Sequence, residues 1–242
     1  MAEKPRKALR SRSVAETVRG RISRGGTRLW KHADFQDLPP TAVAKALSRL
    51  AREGFVQRVA KGVYYHPELT SFGPSVASSS AVSAGTITAH VHPAGLSAAN
   101  VLGLTSQNPH RTEFATTAPA PPGALRAFVV HTGRPAEREH LSSEEGAILE
   151  VLRERAESSD LSPEQTVDRL LRLLAERDRF KRLARAAMPE PPRVRAMLGA
   201  LGEELDMPPR LLDPLRKSLN PLSRYDFGHL SSLRNARRWQ AK

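Results

Sequence analysis

From Ser13 to Arg24 (SVAETVRGRISR) the apolar residues Val14, Val18 and Ile22 fall four apart, which puts them on one face of a helix with Ser13 as its N-cap. Gly25 and Gly26 end that helix. A short extended piece, Thr27 to Trp30, leads to a second short helix expected over about Ala33 to Leu38. Pro39 and Pro40 then break the chain, with Thr41 placed to cap the next helix. Thr41 to Glu53 is the most regular helix of this stretch: Val43, Ala46, Leu47 and Leu50 form its apolar stripe, and Ala42, Lys45, Ser48, Arg49 and Arg52 lie elsewhere around the axis. After Gly54, Phe55–Val59 and Val63–His66 alternate around Ala60-Lys61-Gly62 as a β-hairpin. Helix, short helix, helix and basic hairpin is the order of a winged helix-turn-helix.

The periodicity changes beyond this point. Leu69 to Ala84 is rich in Ser, Ala, Gly and Pro and reads as a linker. Thr86 to His92 alternates as a strand, Gly95 to Leu104 is a short helix rich in small residues, and Arg111–Thr117 and Ala127–His131 are further strands. Ser142-Ser143-Glu144-Glu145 opens a helix to about Ser158, with its acidic residues at the N-terminal end. Ser162-Pro163-Glu164-Gln165 repeats that signal. One helix is expected from there to about Ala187, with Val167, Leu170, Leu171, Leu174, Phe180 and Leu183 as its stripe. Two more helices are expected at about Pro192–Leu205 and Pro209–Leu219, before an aromatic-bearing end with Tyr225, Phe227 and Trp239.

The fold expected is α+β and mostly α: a basic leader (1–12), a winged helix-turn-helix (13–68), a linker (69–85), a small α/β unit (86–141) and a helical C-terminal region (142–242).

Charge changes what this order of elements implies. Residues 1 to 68 hold 15 Lys/Arg against 6 Asp/Glu, so +9 of the formal +13 sits on the first 68 of 242 residues. An excess of that size on a small helical module is the electrostatic footprint of a DNA-binding domain. In a winged helix the third helix enters the major groove. It would present Thr41, Lys45, Ser48 and Arg49, while Arg58 and Lys61 of the wing reach the backbone or the minor groove. The bland alternative is a solvated helix with ordinary basic decoration, or a winged module used for protein contacts. The leader, Lys4 to Arg12, fits an arm that tracks phosphates and equally a solubilising tail. Residues 142 to 242 carry 19 basic and 16 acidic side chains, a balance that favours protein contact over a second strong DNA-binding surface. The basic run Arg177–Arg185 is therefore either a solvated face or a contact surface for an acidic partner or phosphates.

Composition excludes several chemistries. The chain has no cysteine, so disulfides, thiolate zinc sites and thiol catalysis are ruled out. No apolar run reaches the roughly 18 to 20 residues that span a bilayer, and no apolar signal core of about 7 to 15 residues follows the basic N-terminus. The expectation is a cytoplasmic protein without a membrane partner. His90 and His92 would share one side of a strand, but Asp and Glu are absent from Leu69 to Thr112, which leaves no third metal ligand nearby. Neither a Gly-x-Ser-x-Gly elbow nor a phosphate-binding Gly-x-x-x-x-Gly-Lys-Ser/Thr loop is present. Asn100 and Gln107 read as capping and turn residues. No catalytic residue, cofactor or metal is assigned.

The run from Thr41 to Gly54 (TAVAKALSRLAREG), followed by Arg58 and Lys61-Gly62-Val63-Tyr64, resembles the N-terminal domain of AbiEi-type antitoxins. Pro93 to Pro109 (PAGLSAANVLGLTSQNP) resembles the central signature of the same family, a Gly-x-x-Ala-Ala-Asn-x-Leu-Gly-Leu run leading into a Ser/Thr-x-Gln-x-Pro turn. Together the motifs cover about residues 13 to 135. The resemblance implies an antitoxin of a toxin–antitoxin, phage-defence operon. Such a protein represses its own operon through the winged domain, with operator DNA as one partner, and opposes a nucleotidyltransferase-like toxin. It fades after about His140, so no toxin-opposing residue can be carried over there. A stand-alone winged-helix regulator, with a C-terminal region that senses a ligand or dimerises, stays open beside it.

Overall fold

The computed structural model describes residues 13–26, 28–60, 62–67, 69–70, 73–74, 91–107, 109, 111–119 and 128–242. The basic leader, Lys61, His90 and most of the linker lie outside them. The chain divides into two compact units, Met1–Thr86 and Ile87–Lys242.

In the first unit, α1 (Val14–Arg24) starts in a capping box: the Ser13 hydroxyl accepts from the Glu16 N–H and the Glu16 carboxylate accepts from the Ser13 N–H. β1 (Leu29–Lys31) comes next, then a 3-10 turn (His32–Phe35), α2 (Pro40–Arg52), β2 (Gln57–Ala60) and β3 (Val63–Tyr65). The sheet order is β1-β3-β2 with both pairs antiparallel, so the hairpin expected as the wing forms and Leu29–Lys31 adds its third strand. Val18 and Ile22 of α1 pack with Val43, Ala46, Leu47 and Leu50 of α2 around Trp30, Phe35, Val56 and Tyr64. This is a winged helix. Two expectations are corrected. The second helix is only the 3-10 turn, held by the Asp34 carboxylate accepting from the Lys31 N–H at 2.6 Å. Thr41 is not a cap: Pro40 already stands at the first helical position, where its missing N–H costs nothing, and Thr41 lies inside the first turn.

In the stretch read as a linker, β4 (Leu69–Thr70) and β5 (Gly73–Pro74) form a separate two-stranded pair. In the second unit, β6 (Val91–Pro93), β7 (Glu113–Thr116) and β8 (Val129–His131) form a three-stranded sheet in that order, antiparallel and then parallel. The α3 helix (Gly95–Val101) comes after β6. The remaining helices are α4 (Ser143–Arg153), α5 (Pro163–Leu174), α6 (Arg177–Ala186), α7 (Pro192–Glu204) and α8 (Pro209–Lys217). Capping boxes at Ser142/Glu145 and Ser162/Gln165 start α4 and α5 as their sequences predict. The single helix expected to Ala187 is broken between Leu174 and Arg177, where the Arg179 guanidinium donates to the Leu173 carbonyl at 2.9 Å and so covers the end of α5.

No separate core divides residues 86–141 from 142–242. Ala98, Ala99, Leu102 and Leu104 of the central stretch belong to the same cluster as Ile148, Leu152, Leu198 and Trp239. Polar bonds cross that line too. Arg134 meets both Glu150 oxygens at 2.7 and 2.8 Å. Arg138 bonds Glu150, and its Nε donates to Glu190 at 2.6 Å. Glu190 also accepts from the Arg153 Nε at 2.7 Å. Arg138, Glu150 and Glu190 are fully enclosed. Close approach explains two glycines: a Cβ at Gly146 would overlap the His92 ring, and one at Gly199 the Trp239 ring.

Candidate nucleic-acid interface

The buried stripe of α2 fixes which side chains face away from the core. Thr41, Lys45, Ser48, Arg49 and Arg52 lie off that stripe, and all five are exposed. Successive steps of four, three and four residues place Thr41, Lys45, Ser48 and Arg52 along one line of the helix, with Arg49 beside it. Among the described residues, Lys45 and Arg52 have no carboxylate partner. Arg52 extends the expected set by one turn; the same spacing in the sequence carries that signal.

Arg49 differs from its neighbours. Its Nε lies 3.2 Å from Glu53, which also pairs with Arg19 of α1 at 3.2 Å, and the Arg19 guanidinium rests 4.4 Å above the Phe55 ring. One carboxylate thus holds two arginines at the C-terminal end of α2. The Arg49 side chain still keeps 60% of its exposure, so this pair is a weak, screened one. Two further arginines are occupied locally. Arg21 makes a two-pronged contact with Asp37, and that hydrogen-bonded guanidinium holds the Asp37 carboxyl below its ordinary range. Arg28 pairs with Asp34 at 3.0 Å and lies 3.7 Å over the Trp30 ring. Among the described cations of this unit, those left without a carboxylate include Lys45 and Arg52 on α2. On the wing, Arg58 is exposed on β2 and engaged by a neighbour. Lys61 lies outside the described residues.

The histidine pair does not come together as a described site. His92 is buried on β6 with Nε2 3.1 Å from the Arg138 carbonyl, and His90 lies outside the described residues. Asn100 and Gln107 do form a turn: the Asn100 amide donates to the Gln107 carbonyl at 3.1 Å, and the Gln107 amide donates to Asp160 at 2.7 Å. Thr105 completes it, accepting from the Gln107 N–H and bonding Asp160. The signature run therefore docks onto the loop before α5. No helix among the described residues is long and apolar enough to cross a membrane.

A family described only as a family of unknown function, DUF6088, matches residues 16–121, which span the winged helix and the central stretch through β7 but less than half of the chain. Among solved structures the chain is similar to the RV2827C protein from Mycobacterium tuberculosis, with 18% identity over 86% of this chain and 82% of that one and a TM-score of 0.48. At that level the likeness carries no functional argument. No curated protein matches the chain.

Proposed function

We propose that the chain is a DNA-binding repressor that reads its operator with α2, and that it serves as the antitoxin of the operon it represses. One observation carries the DNA-binding part: α2 buries Val43, Ala46, Leu47 and Leu50 and keeps off that stripe a line of Thr41, Lys45, Ser48 and Arg52 with Arg49 alongside, in a stretch (residues 1–68) that carries +9 of the chain's formal net charge of +13. Lys and Arg suit guanine edges and phosphates, and Ser and Thr suit phosphates. The antitoxin part rests on the AbiEi-type motifs, with the nucleotidyltransferase-like toxin as the second partner and no catalysis by this chain.

Gel shifts on the DNA upstream of the protein's own gene test the reading. Arg49→Ala is expected to cost about 1 to 3 kcal/mol on the specific site and to narrow the gap to unrelated DNA. Lys61→Ala, between β2 and β3 in the sequence, is expected to weaken all sequences more evenly and to flatten the salt dependence. Unchanged binding by Arg49→Ala together with Lys45→Ala removes α2 from the recognition surface. Co-expression with the adjoining reading frame tests the antitoxin part separately, since DNA-binding variants are expected to keep their protective effect.

A further inference from the structure

A hollow of about 220 Å³ lies between α6 and α8 of the second unit. Its floor is apolar: Ala184, Met188, Leu211 and Pro214. Its rim is cationic, formed by Lys181, Arg185 and Arg210, and among the described residues no carboxylate lines it. None of the three cations has an ion-pair partner among the described residues, although Arg179 and Arg182 on the same helix are tied to Glu144 and Glu145. The basic run of α6 therefore separates into arginines that hold the fold and cations that serve nothing inside it.

Two further features point outward. Met188 keeps 37% exposure, one of four large apolar side chains exposed to that degree among the described residues, and methionine adapts to varied apolar partners. Pro214 stands inside α8, where it has no N–H to give the Arg210 carbonyl four residues back, so it weakens the helix that carries it. Its ring forms part of the floor instead. On the other flank of α6 a second hollow, about 240 Å³, is lined by Leu141 and Ala186 with His140, Arg182 and Arg185 around them and one acid, Glu137. Arg185 borders both hollows.

We infer that the α6–α8 face docks an acidic, amphipathic helix of a partner protein, one apolar side chain entering the hollow between Met188 and Leu211 and flanking carboxylates meeting Lys181, Arg185 and Arg210. Two packed helices leave a groove that takes a third, and recognition of this kind reads apolar anchors at i, i+3 or i+4. Charge complementarity selects the occupant: phosphates would use the rim and gain nothing from an apolar floor, whereas an uncharged helix would leave three cations unanswered. The inference does not depend on the DNA-binding reading of α2, and the two fail separately.

The probe is a labelled synthetic helix of about 15 residues carrying a leucine stripe on a glutamate-rich background, with a scrambled peptide of the same composition as control. Fluorescence polarisation with the full chain is expected to show binding of the striped peptide and about tenfold weaker binding of the scrambled one. Arg185→Glu and Met188→Asp are each expected to weaken the striped peptide by about tenfold or more, while thermal melting and DNA gel shifts stay as in the unaltered chain. Absent binding, equal binding of both peptides, or binding indifferent to Arg185→Glu and Met188→Asp overturns the proposal. So does loss of DNA binding in Arg185→Glu, which marks the face as a phosphate surface.

Discussion

Arg138→Met removes the centre of the buried ion network, and the geometry sets its cost. Breaking a buried pair by deleting one partner costs about 3 to 5 kcal/mol, because the remaining charge is left without compensation. Here neither carboxylate is left alone: Glu150 keeps both Arg134 bonds and Glu190 keeps Arg153. The expected loss is therefore near the lower end, about 3 kcal/mol, or about 6 to 12 °C in Tm for a unit of this size. Glu190→Leu is the harsher change. It leaves the enclosed Arg138 with Glu150 alone and deprives Arg153 as well, so about 5 kcal/mol is expected. The double variant should cost clearly less than the two losses added, since each removes the bond that the other breaks. Calorimetry and urea melts measure all three. A loss below about 1 kcal/mol for both single variants, or a larger loss for Arg138→Met than for Glu190→Leu, refutes this assignment of roles. Because the network ties the central sheet region to α4 and to the turn before α7, the second unit should also melt in one transition, and two transitions would refute the shared core.

Glu154 provides a pH test: burial first, then repulsion from Glu150 and Glu113, raises its pKa above the ordinary 4.5. Its ionised form is disfavoured in the fold, so Glu154→Gln should raise stability at neutral pH, with the gain shrinking as pH falls through the raised value and gone below 4.5, which melts across pH would show. Glu150 has the opposite sign. Burial alone would raise it, but Arg134 and Arg138 outweigh burial and depress it, so its contribution is full above 4.5 and is lost as pH falls through the depressed value; acid unfolding of Arg134→Met should accordingly start from a less stable protein and show a shallower acid slope. Gly199→Ala forces Trp239 aside and should cost about 1 to 3 kcal/mol, with a changed Trp239 emission as the signature. Ser142→Ala removes the α4 capping box and should cost about 1 kcal/mol in a urea melt.

Local rules account for the parts of the fold that are legible in the sequence. Ser13, Ser142 and Ser162 announce their helices because a capping box needs only residues three apart. The α2 face is legible for the same reason, since the 3.6-residue period puts Val43, Leu47 and Leu50 on one face and Thr41, Lys45 and Ser48 on another. The break after Leu174 was also in the pattern: Leu174 to Phe180 is six residues, out of phase with a 3.6-residue repeat. Without proline or glycine to mark it, that slip in phase is its only local sign. The 3-10 turn depends on one carboxylate, Asp34, reaching back to the Lys31 N–H, which shortens an element that composition alone reads as a helix. The shared core and the Arg138–Glu190 bond join positions far apart in the chain, so no window of sequence contains them. The same holds for the Glu53 bridge between Arg19 and Arg49, which joins α1 to α2.

Trp239 is fully buried against Gly199 in the second unit, with its indole N–H on Glu203, and the chain end around it is closed by bonds between Tyr225 and residues 240 and 242. That placement has a consequence for synthesis on the ribosome. The first unit has its core side chains in hand by about residue 65, whereas the second cannot seal its interior until Trp239 has been added and released from the tunnel. At roughly 5–20 residues per second, the stretch between Thr86 and Trp239 takes on the order of 8–30 s to make. Within that interval the apolar faces of α4 and then α7 stay uncovered from the moment each helix is made until Trp239 arrives, which makes the second unit the part of a nascent chain that most needs shielding by chaperones.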